Sequence, residues 1–186
     1  MLHEEWADVE PQVKGKKDVT FKGFGSRKEA EEWTHKPKIK RRQKNTPFQE
    51  DVIYIFVDGS YSPKRGLSGW GWVAVLNDSK IDEGNGVLGN LHGSRNIVGE
   101  LEATKRAVTW VCEKGLRQVV IVHDYAGIGN WALGFWKAKT QVAKEYVKHV
   151  TPYLDRLIFE KCYGHSDVEW NEYADNLTRK GYPDNV

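Results

Sequence analysis

The chain has 186 residues, of which 39% are hydrophobic and 29% charged, and its formal net charge is +2. This composition indicates one globular domain with an appendage. The longest apolar run has six residues and the N-terminus is polar and acidic, so we expect neither a membrane span nor a signal peptide. Residues 51–186 carry 16 basic and 17 acidic side chains, which excludes a strongly basic nucleic-acid binder in that part of the chain.

Residues 1–50 carry an excess of positive charge, with 12 basic and 9 acidic side chains. Six of the basic side chains fall within residues 36–44, a stretch that has no acid, contains Pro37 and precedes Pro47. Such a segment is typical of a disordered linker, and we assign residues 36–50 to one. Its charges are equally compatible with contacts to phosphate groups, which would make nucleic-acid binding sensitive to salt.

Three strands, followed by alternating helices and strands, are predicted after residue 50. The predicted strands are residues 52–58, 69–76, 80–88, 118–123 and 156–162, and the predicted helices are 97–114, 127–136, 140–151 and 171–180. Three antiparallel strands and subsequent β–α units give an α/β fold, a mixed five-stranded sheet with helices on both faces. Residues 52–57 and 119–122 are apolar throughout, which is typical of central strands buried on both faces.

Four carboxylates stand at the ends of these elements. Asp58 and Asp124 each follow a central strand, and the C-terminal ends of neighbouring parallel strands form the usual ligand crevice of an α/β sheet. Glu100, near the start of a helix, and Asp175, near the last helix, are predicted to return to the same place. Ionised carboxylates in a crevice are costly unless a divalent cation binds them, so the pattern predicts a magnesium-dependent phosphoryl-transfer enzyme.

The motifs around these acids resemble type 1 ribonuclease H over residues 52–181. The resemblance rests on Asp-Gly-Ser at 58–60, Gly-Glu-Leu-Glu-Ala at 99–103, Asp124 at a strand end, Gly-His-Ser at 164–166 and Asn-Glu-Tyr-Ala-Asp at 171–175. It implies a ribonuclease H-like sheet of order 3-2-1-4-5 in a catalytic domain at residues 51–186. It also implies hydrolysis of the RNA strand of an RNA–DNA hybrid, with 3′-hydroxyl and 5′-phosphate ends.

The resemblance further implies a set of site residues. Asp58 would bridge two Mg²⁺ ions, for which Mn²⁺ is a possible substitute, while Glu100 and Asp124 would hold one ion and Asp175 the other. His165 would assist proton movement and product release, as suits a side chain that titrates near neutrality. Hard oxygen ligands of this kind are what Mg²⁺ prefers, and two such ions can activate water and stabilise a leaving oxygen.

Two further positions are substrate contacts by resemblance. Asn96 matches a residue that reads the RNA 2′-hydroxyl, although asparagine also favours a helix N-cap. Trp131 resembles an aromatic residue that lines the channel of the DNA strand, but packing in the core explains it nearly as well, because the chain has eight tryptophans.

Residues 1–35 resemble part of the viroplasmin-like hybrid-binding module that often precedes this catalytic domain. The resemblance covers Trp6 through Trp33 and lacks the strand pair that comes before the Trp6 position in the family, so we expect a partial, truncated module. Trp6, Phe21 and Lys22 would engage the hybrid backbone, through stacking on aromatic faces and pairing of lysine with phosphate. A degenerate remnant with partial order is the alternative, because so short a piece buries little core.

Two other functions remain open. A different nuclease or strand-transfer enzyme of the same fold would share acids at the sheet edge, and a catalytically silent protein would bind hybrids without cutting them. Four intact acids argue against the silent binder.

Cys112 and Cys162 lack metal-ligand spacing, which indicates buried thiols in a reducing cytoplasm. We expect a monomer whose partner is the RNA–DNA hybrid, with no obligate protein partner.

Overall fold

The computed structural model describes residues 2–16, 21–89, 95–163 and 168–183, and the chain divides into two compact units, residues 1–37 and 38–186. The first unit contains helices α1 (Trp6–Val13) and α2 (Arg27–Thr34). Helix α2 begins where the Ser26 hydroxyl accepts a hydrogen bond from the Glu29 backbone N–H at 3.3 Å, which satisfies one of the free donors of the first turn.

The second unit is a sheet with helices on both faces. Its strands are β1 (Lys40–Arg41), β2 (Ile53–Ser62), β3 (Leu67–Leu76), β4 (Ser79–Leu88), β5 (Val119–His123) and β6 (Leu157–Lys161). Its helices are α3 (Arg95–Glu113), α4 (Gly127–Ala132), α5 (Gln141–Val150), a 3₁₀ turn (Thr151–Arg156) and α6 (Glu169–Lys180). Helix α4 ends four residues before its predicted end, and Gly134 follows it with a φ of +68°, which glycine adopts without strain.

The strand order is β1-β6-β5-β2-β3-β4. Strands β2 to β6 therefore reproduce the predicted five-stranded order, with β2–β3 and β3–β4 antiparallel and β2–β5 and β5–β6 parallel. In the parallel pair of β2 and β5, Tyr54 lies opposite Val120 and Phe56 opposite Val122. This register brings the two ends that carry Asp58 and Asp124 to the same edge of the sheet.

Strand β1 is a sixth strand that the sequence analysis did not predict. Lys40 and Arg41 pair in parallel with Glu160 and Lys161 of β6, so the prediction of a disordered linker is wrong at this point. The physical reason is that edge strands are often short and charged, and such a strand lacks the apolar alternation by which strands are recognised. The next residue, Arg42, is 2% exposed and ion-pairs with Glu160.

Two apolar layers enclose the sheet. Ile55 and Val57 face one cluster with residues of α3, α4 and α5, whereas Tyr54 and Phe56 face the other with residues of α6. Because side chains alternate along a strand, Asp58 falls on the α6 side at the end of β2. No helix among the described residues is long and apolar enough to cross a membrane.

Candidate active site

Asp58 and Asp124 lie at the ends of the two central parallel strands. Asp58 is 7% exposed and its carboxylate accepts a 2.6 Å hydrogen bond from the Gly59 backbone N–H, whereas Asp124 is half-buried. Both positions follow from the continuous apolar strands and from the parallel register, so the sequence prediction that they meet is confirmed geometrically.

Glu100 reaches the same place from helix α3. Gly99, the preceding residue, allows α3 to approach the strands closely, because a Cβ there would lie 3.0 Å from the Gly59 Cα and closer still to the Gly69 carbonyl oxygen. One carboxylate oxygen from each of Asp58, Glu100 and Asp124 lies within 4.8 Å of the other two. We call these three residues the acidic cluster.

The acidic cluster is electrostatically unfavourable without a cation. Burial, and then the negative charges of Asp58 and Asp124, raise the pKa of Glu100 well above its usual range. Burial, and then the charge of Asp124, raise the pKa of Asp58 to about 7. Glu100 Oε2 is buried and has no hydrogen-bond partner among the described residues. Three crowded carboxylates with an unpartnered oxygen fit a hard divalent cation well.

Asp175 lies on α6, outside the acidic cluster but close enough for its charge to raise the pKa of Asp58 as a smaller cause. Helix α6 packs closely on β3, where Gly71 lies opposite Asp58 in the strand register. A Cβ on Gly71 would lie 2.8 Å from the Ala174 carbonyl oxygen and 2.9 Å from the Thr178 backbone nitrogen. The absence of a side chain at Gly71 therefore sets how near Asp175 comes to the site.

Replacing Gly71 by alanine is expected to lower the melting temperature and to reduce catalytic activity. The new methyl group meets backbone atoms, which cannot rotate away, so α6 must move; overpacking of this kind costs about 1–3 kcal/mol. Thermal unfolding and turnover would be measured beside a Gly89→Ala control, because a Cβ at Gly89 meets no atom of the described residues within 4 Å. Equal behaviour of the two variants would contradict the positioning role of Gly71.

Arg179 and His123 are two site residues that the sequence analysis missed. Arg179 Nη2 lies 2.6 Å from Asp175 Oδ2, one helical turn further along α6. The i,i+4 spacing of these oppositely charged residues in a predicted helix could have indicated the ion pair. His123 is fully buried, and burial lowers its pKa to about 4, so its imidazole is neutral. Its Nδ1 lies 2.9 Å from the Tyr125 carbonyl oxygen and so braces the chain on both sides of Asp124.

The structure describes the other predicted site residues of the catalytic part to different extents. His165 lies outside the described residues. Asn96 lies in the first turn of α3, and the structure describes only its backbone. Trp131 is half-buried on α4, with its ring 5.7 Å from that of Tyr125 and 6.3 Å from that of Trp136, which is 46% exposed. Trp131 thus belongs to an aromatic surface group that begins next to Asp124, and it also packs on the core.

Within the first unit, the predicted hybrid contacts share one groove. The rings of Trp6 and Phe21 are 5.3 Å apart, and both side chains are more than half exposed. Lys22 Nζ lies 5.5 Å from the centre of the Phe24 ring. These four residues help to line a groove of about 830 Å³ within the unit. Two adjacent exposed aromatic faces with a nearby ammonium group are suited to stacking and to phosphate contact.

Comparison with known families gives two matches. Residues 49–182 match the family described as RNase H, and residues 2–34 match the family described as Ribonuclease H1 N-terminal domain. Ribonuclease H of Chromobacterium violaceum is 29% identical over 147 residues, covering 71% of this chain and 95% of the relative. Ribonuclease H of Chlorobaculum parvum is 25% identical over 140 residues, covering 70% and 94%.

Solved structures show the same fold at low identity. RNase H1 from the archaeon Halobacterium salinarum aligns with a TM-score of 0.57 at 19% identity, covering 70% of this chain and 96% of that one. LC11-RNase H1 in complex with an RNA/DNA hybrid aligns with a TM-score of 0.58 at 23% identity, covering 69% and 95%. These likenesses, which cover 69–70% of the chain, confirm the predicted α/β fold.

Proposed function

The chain belongs to the RNase H family and is a ribonuclease H of RNA–DNA hybrids, and we propose that it cuts the RNA strand internally with two divalent cations. The expected products carry 3′-hydroxyl and 5′-phosphate ends. The observation that carries this mechanism is the acidic cluster, in which three carboxylate oxygens lie within 4.8 Å of one another and Glu100 Oε2 is buried with no hydrogen-bond partner among the residues that the structure describes. Such a site is stabilised by a hard cation.

Each acid has a distinct part in this proposal. Glu100 and Asp124 would hold one Mg²⁺ and Asp175 would hold the other. Asp58, whose pKa is raised by the charges of both Asp124 and Asp175, would be a ligand of both ions. Two ions held in this way would supply an activated water molecule and stabilisation of the leaving oxygen; Mn²⁺ has similar ligand preferences. The Gly59 N–H orients the Asp58 carboxylate, and the buried neutral His123 holds the turn that presents Asp124.

Supporting roles are proposed for three further residues. His165 would move protons to and from the reacting oxygens, a role for a side chain that titrates near neutrality. Asn96, in the first turn of α3, would contact the RNA 2′-hydroxyl. Trp131, through its aromatic contacts with Tyr125 and Trp136, would support the surface along which the DNA strand runs.

We also propose that the first unit, residues 1–37, binds the hybrid separately from the catalytic unit, residues 38–186. The match to the Ribonuclease H1 N-terminal domain and the exposed pair of Trp6 and Phe21 support this division. The free thiols of Cys112 and Cys162 are compatible with the reducing cytoplasm that we propose as its location. The monomeric state stays a prediction.

Removing residues 1–37 is expected to leave cleavage intact but to weaken hybrid binding, because all four acids lie in the remaining unit. If the first unit makes two or three phosphate contacts, the logarithmic salt dependence of affinity falls by roughly 2–3. Binding would be measured across a salt titration in an Asp58→Asn background. Trp6→Ala in the full chain is the matched variant, since it removes a stacking face and keeps every charge. Identical salt slopes with and without residues 1–37 would mean that the unit is passive.

The proposed function is tested by cleavage of a labelled RNA–DNA hybrid, with double-stranded RNA and double-stranded DNA as controls. Cleavage of the RNA strand in Mg²⁺ or Mn²⁺ and its loss with a chelator are expected. Phosphatase treatment of the product would reveal the 5′-phosphate. Cleavage of double-stranded DNA would favour another nuclease of the same fold, and binding without cleavage would favour a silent hybrid-binding protein.

A further inference from the structure

A second cleft lies beyond the acidic cluster, at the far end of β2. It has a volume of about 420 Å³, and its lining includes Ser60, Ser62, Arg65, Arg179 and Tyr182; none of the lining residues in the described part of the chain is acidic. Ser60 and Ser62 follow Asp58 at alternate positions of β2, so all three project from the same face of the strand. The cleft therefore continues the line of the acidic cluster along β2.

Arg65 is held in this cleft by an aromatic ring. It lies in the turn between β2 and β3, where the Gly66 N–H donates to the Ser62 carbonyl oxygen at 2.8 Å. Its guanidinium carbon is 5.4 Å from the centre of the Tyr182 ring, within the range of a cation–π contact. Arg65 Nε is buried and has no hydrogen-bond partner among the described residues. An anion bound to the rest of the guanidinium would offset the cost of holding it there.

Tyr182 is itself fixed in place. Its hydroxyl lies 3.0 Å from Ser60 Oγ and 3.1 Å from the Gly69 backbone nitrogen, which donates to it. The ring beneath Arg65 is thus anchored to both β2 and β3. A preorganised arginine loses less conformational entropy when it binds a ligand than a free surface side chain does.

Arg179 connects the cleft to the catalytic acids. It lines the cleft and also ion-pairs with Asp175 at 2.6 Å, so one side chain contacts both places. Two guanidinium groups, one of them paired with Asp175, and two serine hydroxyls form a donor-rich site whose chemistry suits a phosphate group.

We propose that this cleft binds a backbone phosphate of the nucleic acid, next to the phosphate that is cut. Arg65 makes the principal contact, supported by Ser60, Ser62 and Arg179. The proposal rests on the proposed function, because it takes the RNA–DNA hybrid as the ligand. The contact fixes the strand along β2 and so helps to align the reacting phosphate with Asp58 and Asp175.

The test compares Arg65→Gln with Lys64→Gln, both in an Asp58→Asn background that binds hybrid without cutting it. Lys64 is exposed in the same turn and does not line the cleft. Arg65→Gln is expected to raise the Kd for hybrid about tenfold and to lower the logarithmic salt slope by about 0.9, the value for one phosphate contact. Lys64→Gln is expected to change neither. Arg65→Lys, which keeps the charge, is expected to preserve the slope while the affinity falls.

An unchanged slope in Arg65→Gln, or an equal loss in Lys64→Gln, would overturn the proposal. A free phosphate ion is the other source of the same chemistry. Inorganic phosphate could raise the melting temperature of the unmodified chain but not that of Arg65→Gln. If, in the same comparison, Arg65→Gln leaves the salt slope of hybrid affinity unchanged, the cleft binds free phosphate and the proposal is wrong. Cleavage of the hybrid by the unmodified chain is measured independently, so a failure of the proposed function is seen separately from a failure of the cleft.

Discussion

Replacing Asp58 by asparagine is expected to abolish cleavage of the RNA–DNA hybrid, with a loss of at least a thousandfold in turnover. The charges of Asp124 and of Asp175 both raise the pKa of Asp58, and the variant removes the ligand that both cations would share. The amide has the size and shape of the carboxylate, so the fold is expected to survive. Single-turnover cleavage in Mg²⁺ and circular dichroism would measure the two effects.

The same substitution is expected to stabilise the protein when no metal is bound. The folded-state pKa of Asp58 is raised to about 7, so its contribution to stability is present below pH 4 and is lost as the pH rises through 7. Asp58→Asn does not suffer this loss, so its free energy of unfolding at pH 8 should exceed that of the unmodified chain by on the order of 1–3 kcal/mol. The range is wide because Asp58 and the neighbouring carboxylates influence one another's protonation. Near pH 3.5 the two proteins should be equally stable.

Asp155→Asn is the matched control, because Asp155 is exposed and lies on the 3₁₀ turn before β6. It should change neither cleavage nor the pH dependence of thermal unfolding in a chelator. Adding Mg²⁺ should stabilise the unmodified chain by mass action and should stabilise Asp58→Asn far less. Cleavage by Asp58→Asn near the unmodified rate would refute the assignment of the acidic cluster as the active site.

The central part of the fold could be predicted because its signals are local. Residues 52–57 and 119–122 are uniformly apolar, and a strand buried on both faces needs such a run. Once two such strands are parallel neighbours, the acids that follow them must meet, as Asp58 and Asp124 do. The place of Glu100 was predicted from its position near the start of a helix, and the structure supplies the physical cause in the close approach of α3 at Gly99.

The parts that could not be predicted depend on partners far away in the sequence. Strand β1 has two charged residues, and nothing in that pair indicates pairing with Glu160 and Lys161. The cleft beside the acidic cluster needs Tyr182 to return to Ser60, which lies 122 residues earlier. Composition describes a charged segment as solvated, but it cannot reveal that one of its arginines is buried against an acid.

That arginine is Arg42. It is 2% exposed, its Nη1 lies 3.0 Å from Glu160 Oε2, and its Nη2 donates to the Thr46 carbonyl oxygen at 3.2 Å. Its guanidinium carbon lies 4.4 Å from the centre of the Phe48 ring and 4.5 Å from that of Tyr54. The contacts of the Arg42 guanidinium therefore hold the basic segment against the rest of the catalytic unit. A truncation that removes residues 1–45 would remove Arg42 and these contacts.

Arg42→Ala is expected to lower the free energy of unfolding of the catalytic unit by about 3–5 kcal/mol, because it leaves Glu160 buried without its partner and empties the aromatic cage. Lys40→Ala, an exposed change on β1, should cost less than about 0.5 kcal/mol. Arg42→Met combined with Glu160→Leu should recover much of the loss, since an apolar pair often replaces a buried ion pair at little cost. Chains beginning at residues 38 and 46 should differ in stability by a similar amount in urea unfolding. Equal stability of these two chains would show that the Arg42 cage does not hold the catalytic unit together.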